Sequence, residues 1–174
     1  MALMGSSAGA GAALWIAFHD DLAEPLSNDL VARESTRVSC VSVRGAQPTY
    51  DRRVIRELAG EAAARHAVFA NLHGLTPDEI ETEKAHARYA QAAPLTYLTA
   101  DDPRCLPITA NRAGASPADA RSGTGIHHPN LGLLLKERME ALGLECIFFL
   151  HKDQQIPAVR AEFEFIRRHL FPTP

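Results

Sequence analysis

A serine at position 7 lies within a short run of small residues that could carry chemistry. The sequence from Gly5 to Gly9 reads Gly-Ser-Ser-Ala-Gly and matches the pattern G-x-S-x-G. In a nucleophile elbow, this pattern puts the serine in a strained turn between a strand and a helix, with its hydroxyl exposed. Small residues on either side let the strand and the helix pass close to each other. The motif therefore predicts Ser7 as a nucleophile, with the backbone N–H of Ala8 helping to bind an oxyanion.

The residues around this motif predict the elements that would position it. Apolar residues precede the motif at 2–4, and a helical pattern follows from Ala12 to Leu22 before Pro25 breaks it. Residues 37–43 alternate and are rich in β-branched side chains, which is typical of a strand. Ser7 is therefore expected between the end of one strand and the start of a helix.

Residues 51–93 have a helical pattern throughout. Three pieces are expected, at 51–59, 61–72 and 77–92. Thr76 and Glu79 have the spacing of a capping box, with Pro77 at the first helical position. This region predicts a helical, cap-like insertion between two strands.

The C-terminal part of the chain continues the alternation of strands and helices. In chain order we expect a strand at 103–110, a loop at 111–128, a helix at 129–142, a strand at 145–150 and a helix at 156–170. Pro107 weakens the first strand, and Gly143 ends the first helix. The last helix is amphipathic, with an apolar face formed by Val159, Phe163, Ile166 and Leu170. The whole pattern predicts an α/β fold, in which helices cover a parallel sheet, as one domain over 1–174.

Composition excludes several classes of function. The chain has 174 residues and a formal net charge of −3, and it has no basic stripe of the kind that a general nucleic-acid binder would show. No run reaches the roughly 18 apolar residues of a membrane span. The first residues lack the positive region of a signal peptide, so a cytoplasmic location is expected.

The three cysteines favour the same compartment. Cys40, Cys105 and Cys146 are far apart and lie in apolar runs, which predicts buried and reduced thiols. They lack C-x-x-C spacing, and the adjacent His127 and His128 have no third ligand at a suitable spacing, so no metal site is expected.

Several segments together resemble esterases and lipases of the α/β-hydrolase fold, of the hormone-sensitive-lipase and carboxylesterase type. The run from Met4 to Gly11, with Trp15–Asp21 after it, is similar to the family's elbow and the helix behind it. Residues 94–103 are similar to the segment that leads into its seventh strand, and residues 135–143 to the helix before its last strand. The resemblance implies an α/β-hydrolase-like fold that acts on small to medium carboxylic esters through a serine, without a cofactor.

The resemblance also implies where the partners of Ser7 should lie. The acid belongs in the loop after the strand at 103–110, where Asp119 is the carboxylate. The histidine belongs just after the last strand, where His151 lies closest. His127 and His128 are the alternative bases. Asp119 and His151 are therefore the expected acid and base, with that alternative left open.

This sequence departs from the family's pattern at three places. Gly125 stands where the family often has its aspartate, and Gln154 stands at the usual offset of the histidine. The motif begins at residue 5, so the strands that precede it in the family, with their H-G-G-G-type oxyanion loop, are absent from this sequence. We therefore expect a hydrolase domain truncated before its elbow strand, in which the missing half of the oxyanion hole would weaken or abolish activity.

Parts of the sequence also fit two other classes of function. Gly9-x-Gly11 is a partial dinucleotide-binding motif, followed by a strand that ends at Arg44, but Leu14 stands in place of the third glycine. A non-catalytic interaction module or fragment would keep the fold without the chemistry. An exposed sheet edge would also favour a homodimer. Four apolar residues could line an acyl pocket or pack helix against helix: Val68, Phe69, Leu72 and Leu75.

Overall fold

The parallel sheet forms the centre of the computed structural model, which describes residues 1–109, 125–150 and 157–171. Within those ranges its four strands are β1 (Ala2–Ser6), β2 (Cys40–Arg44), β3 (Arg104–Thr109) and β4 (Phe149–Leu150). The strands lie in the order β1-β2-β3-β4, and each neighbouring pair is parallel. This arrangement confirms the predicted fold class.

Helices cover both faces of this sheet. The described α-helices are α1 (Ala8–Phe18), α2 (Arg52–Ala59), α3 (Glu61–Ala64), α4 (Val68–His73), α5 (Glu83–Ala92), α6 (Pro129–Ala141) and α7 (Ala158–Leu170), with a 3₁₀ turn at Pro94–Thr96. Val41 and Val43 of β2 join the core that α1 and α6 cover, whereas Cys40 joins the core under α7. Successive strand residues point to opposite faces, so one strand serves both cores. None of the described helices is long and apolar enough to cross a membrane.

The helical region between β2 and β3 has a core of its own. Buried side chains from α2, α3, α4 and α5 pack together with Tyr50 and with Leu131 of α6. Phe69 and Leu75 are buried in this cluster, and Leu72 is exposed. Phe69 and Leu75, together with partly buried Val68, therefore pack within the helical region, whereas Leu72 does not. A role of this region as a cap stays a prediction.

Three of the predicted helices had wrong bounds because local hydrogen bonds compete with the helix. The helix predicted at 61–72 is broken into α3 and α4 by a turn, in which the His66 N–H donates to the Ala63 carbonyl and the Val68 N–H donates to His66 Nδ1. Helix α1 ends at Phe18 because the Asp21 carboxylate accepts hydrogen bonds from Ser35 and from the backbone of Thr36, which turn the chain away. The bond from Ser35, with the backbone bonds, lowers the pKa of Asp21 to about 2. Helix α5 begins at Glu83, with Thr82 accepting a hydrogen bond from the Ala85 N–H.

Only half of the predicted capping box forms, and no helix starts there, because the Thr76 hydroxyl donates to the Glu79 carboxylate and accepts nothing from the Glu79 N–H. The backbone N–H of Thr76 donates to Glu79 Oε2 at 2.9 Å, and Lys84 binds the other oxygen of the same carboxylate at 2.7 Å. The Glu79 N–H reaches back to the Thr76 carbonyl as a single tight turn. Because Thr82 then caps the chain six residues further on, the helix is delayed to Glu83.

Strand β3 tolerates Pro107 because the missing N–H faces a gap in the pairing. The N–H and carbonyl of Cys105 bond to the segment that contains Cys146, and pairing with β4 resumes only at Ile108. Pro107 points to the same side as Cys105, between these two contacts. The gap also explains why the strand predicted at 145–150 shortens to Phe149–Leu150. All three cysteines are buried and free, as predicted.

The apolar face predicted for the last helix was wrong at Val159 and Phe163, whereas Ile166 does pack against the core. Val159 and Phe163 are each 66% exposed, whereas Glu162 and Phe165 are buried against the sheet. The Glu162 carboxylate accepts a hydrogen bond from the Ser42 hydroxyl at 2.7 Å and one from Arg44 Nη2 at 2.5 Å. These hydrogen bonds determine which face of α7 packs against the sheet. Hydrophobic periodicity considers apolar side chains alone and so does not contain them.

Candidate active site

Ser7 is the single residue between β1 and α1, and it has a backbone conformation that few non-glycine residues adopt. Its φ is 54° and its ψ is −121°. Backbone bonds hold it there: its N–H donates to the Arg44 carbonyl at 3.0 Å, and its carbonyl accepts from the Ala10 N–H at 2.9 Å. Such a conformation costs roughly 1–3 kcal/mol and persists only where the surroundings impose it. The strain therefore indicates that the side chain of Ser7 is required at this position.

The two glycines of the motif have different roles. A Cβ built on Gly5 would lie 2.1 Å from the carbonyl oxygen of Gly9, so the strand and the helix touch there. A Cβ on Gly9 would meet no described atom within 4 Å. The requirement for a small residue therefore holds at Gly5 and is wrong at Gly9, because Gly9 contributes its backbone to the contact while its own Cβ direction is open.

The hydroxyl of Ser7 contacts the imidazole of His127. Ser7 Oγ and His127 Nε2 lie 2.8 Å apart, across 120 positions of the sequence. A serine at the N-cap of a helix usually accepts a hydrogen bond from the first turn, but in the described structure Ser7 makes no such capping bond. With His127 in the tautomer that leaves Nε2 bare, this nitrogen accepts the hydroxyl proton. The pair therefore has the geometry of a nucleophile and its base.

Glycine at position 45 makes room for this imidazole. Gly45 follows β2 and has a φ of +64°. A Cβ at this position would come within 2.8 Å of His127 Cδ2. His127 lies two residues before the start of α6, and next to it His128 Nδ1 accepts a hydrogen bond from the Asn130 N–H at 3.2 Å. Helix α6 and the turn after β2 together fix the position of His127.

Gly125 cannot be replaced by the family's aspartate without displacing a helix. A Cβ at Gly125 would lie 2.5 Å from the Cβ of Ala63 in α3. The position expected from the resemblance to hold a carboxylate is thus a packing contact with the helical region.

Ser7 and His127 open into a cavity of about 580 Å³ at the carboxyl ends of the strands. Its described lining consists of Ser6, Ser7, Arg44, Gly45, Ile108, Thr109, His127, Pro157, Ala158 and Val159. In open α/β sheets, ligands bind at this edge. The cavity is large enough for a small ester.

The structure brings together only part of the predicted set. Ser7 is joined by His127, which the sequence analysis named as one of two alternative bases, and Ala8 begins the helix behind Ser7. The predicted acid Asp119 and base His151 lie outside the described residues. In the sequence, the signal for His127 was its place before Pro129 at a helix start, which does not by itself indicate a contact with residue 7.

The described residues offer no evident metal site. No group of three or more histidine, cysteine, aspartate or glutamate side chains among them could hold a metal ion. Gly11, part of the partial dinucleotide motif, faces a protein side chain: its Cβ would lie 2.1 Å from the hydroxyl of Tyr50. This glycine is explained by packing.

The fold is one found in esterases of known structure. The chain matches no family model and no curated protein. It is similar to an acetyl ester-xyloside bifunctional hydrolase from Caldicellulosiruptor lactoaceticus, with 16% identity, a TM-score of 0.51, and coverage of 95% of this chain and 51% of that one. It is also similar to the native form of a thermophilic esterase from the Planctomycetes species Thermogutta terrifontis. That match has 16% identity, a TM-score of 0.52, and coverage of 97% of this chain and 53% of that one.

These likenesses establish the architecture. At this level of identity they show a common fold alone, and this chain spans about half the length of the solved structures that it matches. What Ser7 and His127 do must therefore be argued from their own geometry.

Proposed function

We propose that this protein is a serine hydrolase of the α/β-hydrolase kind that cleaves carboxylic esters, with Ser7 as nucleophile and His127 as base. The observation that carries the proposal is the 2.8 Å contact between Ser7 Oγ and His127 Nε2. The strained backbone of Ser7 and the cavity at the strand ends support it. Esterase architecture in the structural neighbours makes an ester the expected substrate class.

The contact would support acyl transfer in two steps. Ser7 Oγ attacks the ester carbonyl carbon while its proton passes to His127 Nε2. The bond to the alcohol then breaks, and the alcohol leaves with that proton. Water repeats the sequence on the acyl-enzyme, with His127 again taking and returning one proton, and a carboxylic acid is released. Serine alone is a weak nucleophile, so the rate depends on the imidazole.

Charge on the carbonyl oxygen would be stabilised at the start of α1. The first N–H groups of a helix have no acceptor within it, and this end carries partial positive charge. The N–H of Ala8 directly follows the nucleophile, as an oxyanion donor does in this kind of turn. Asp119 remains the predicted acid that orients the imidazolium, and His151 remains the rival base. The cytoplasmic location and a homodimer through the sheet edge also remain predictions.

Hydrolysis of 4-nitrophenyl acetate and butyrate tests the proposal. The intact chain is expected to release 4-nitrophenolate faster than buffer, and Ser7→Ala is expected to lower kcat by at least about 100-fold. Ser6→Ala is the matched control, because it changes the neighbouring hydroxyl that faces the same cavity and should retain activity. Equal rates for the intact chain and Ser7→Ala, with both folded by circular dichroism, would favour the non-catalytic module instead.

A further inference from the structure

Arg44 is the charged residue that the cavity presents beside Ser7. It ends β2 and pairs in register with Ser6, and its carbonyl accepts the Ser7 N–H. Among the described lining residues it is the one with a permanent charge. The cation therefore lies in the same cavity as the nucleophile, on the next strand of the sheet.

A buried carboxylate holds the guanidinium in place. Glu162 of α7 binds Arg44 Nη2 through Oε2 at 2.5 Å and Ser42 Oγ through Oε1 at 2.7 Å. Both carboxylate oxygens are thus fixed. The Arg44 side chain keeps 40% of its surface exposed, whereas the Glu162 side chain keeps 6%. The negative end of the pair is therefore buried, while the positive end is partly exposed and belongs to a residue that lines the cavity.

The guanidinium retains donors for a ligand. It has five N–H groups in a planar fork that matches a carboxylate, and within the described ranges its one hydrogen bond runs from Nη2 to Glu162. Helix α7 begins at the same cavity, where Pro157, Ala158 and Val159 form part of the lining. The partial positive charge of a helix N-terminus adds to that of Arg44.

We propose that this site prefers esters that carry a carboxylate on the acyl part, with Arg44 as the residue that recognises it and Glu162 as its positioning residue. This proposal rests on the proposed function for the ester, and it adds the class of substrate. An ion pair that served only to balance buried Glu162 would give no such preference. The two roles can be separated, because only the first discriminates between matched substrates.

Mono(4-nitrophenyl) glutarate and 4-nitrophenyl pentanoate form the matched pair of substrates. They share the leaving group and the length of the acyl chain, and they differ in a terminal carboxylate against a methyl group. The ratio of their kcat/KM values measures the preference for the anion. Each rate is corrected with Ser7→Ala, because the glutarate ester also reacts with its own carboxylate.

The informative variants are Glu162→Gln and the double variant Arg44→Met/Glu162→Gln. They differ only at Arg44, and neither leaves a lone charge buried, as Arg44→Met alone would. Glu162→Gln is expected to keep or raise the ratio, because the amide oxygen still accepts from Arg44 Nη2 and holds it in position while the competing negative charge is removed. The double variant is expected to lower the ratio by about tenfold or more, the effect of losing a charge-assisted hydrogen bond. A ratio equal in both variants would overturn the proposal.

Binding in the Ser7→Ala background separates this inference from the proposed function. Calorimetric titration with monomethyl glutarate and methyl pentanoate is expected to show tighter binding of the anion, which is lost when Arg44 is replaced. A preference in binding with no hydrolysis by the intact chain would refute the esterase and leave the anion site standing. Hydrolysis by the intact chain with no preference for the anionic ester would support the esterase and refute the anion site. Equal or absent binding of the two ligands would also overturn the anion site.

Discussion

Ser7 and Gly45 occupy equivalent places after neighbouring strands and share a positive φ, but one position has a side chain and the other has none. Each follows a parallel strand at the carboxyl edge of the sheet, and each has a positive φ, 54° at Ser7 and 64° at Gly45. Glycine adopts this conformation without strain, whereas serine does so at a cost. Among the described residues, Ser7 is the one non-glycine residue with positive φ.

The contrast shows which position needs a side chain and which needs its absence. At Gly45 a Cβ would meet the ring of His127, and at Ser7 the Oγ reaches that same ring. The imidazole therefore explains both residues: one leaves space for it and the other contacts it. The strained backbone is thus found at the residue whose hydroxyl contacts the imidazole.

The largest effect should come from Gly5→Ala, which breaks the turn that holds Ser7. Its Cβ would lie 2.1 Å from the Gly9 carbonyl, a contact of backbone with backbone that no rotamer relieves. We expect the free energy of unfolding to fall by about 3 kcal/mol or more in urea titrations. Gly9→Ala is the control, and since its Cβ meets no described atom, it should leave stability unchanged or raise it by up to about 1 kcal/mol. Equal losses in both variants would contradict the assigned contact.

Gly45→Ala should remove activity while the protein stays folded. The new Cβ displaces His127 from Ser7, and a displacement of about 1 Å in a catalytic group costs on the order of 100-fold in rate. Ester hydrolysis measures this effect. Gly143→Ala has the same kind of backbone strain, at a φ of +75°, with no described atom within 4 Å of its Cβ. Both variants should lose about 1 kcal/mol of stability, and only Gly45→Ala should lose activity. Normal activity in Gly45→Ala would contradict the role of Gly45 in leaving space for the His127 imidazole.

The smallest effect should be a difference in stability between two replacements of Ser7. Ser7→Gly and Ser7→Ala both lose the contact with His127, but only glycine relaxes the strained φ. We expect Ser7→Gly to be more stable than Ser7→Ala by about 1 kcal/mol in urea unfolding, with both variants inactive. If Ser7→Gly is the less stable of the two, the backbone at residue 7 is not strained in the folded protein.

The sequence was sufficient for the fold and for the place of Ser7 because both depend on local patterns. Alternating strands and helices predict a parallel sheet, and small residues around a serine predict a tight turn. The start of α5 at Glu83 was missed because it depends on the competing Thr82 cap. The rotation of α7 was missed because it depends on the bonds of Glu162 to Ser42 and Arg44. The bonds of Glu162 join parts of the chain that are 120 and 118 residues apart, whereas the Thr82 cap is a local bond that competes with the predicted cap at Thr76.

The base shows the same limit. An offset after the last strand pointed to His151, whereas the described contact of Ser7 is with His127. Gly125, two residues earlier, packs on Ala63, and a glycine after β2 clears the space for the imidazole. These packing details bring His127 to Ser7, and motif spacing does not contain them.

Labelling with a fluorophosphonate tests the pairing of Ser7 with His127 most directly. Ser7 Oγ would attack phosphorus and displace fluoride, and mass spectrometry of the peptides would locate the adduct. The intact chain and His151→Gln are expected to be labelled at Ser7, whereas His127→Gln is expected to lose the label by at least about 100-fold in rate. Labelling that survives in His127→Gln and disappears in His151→Gln would contradict the assignment of His127 as the base.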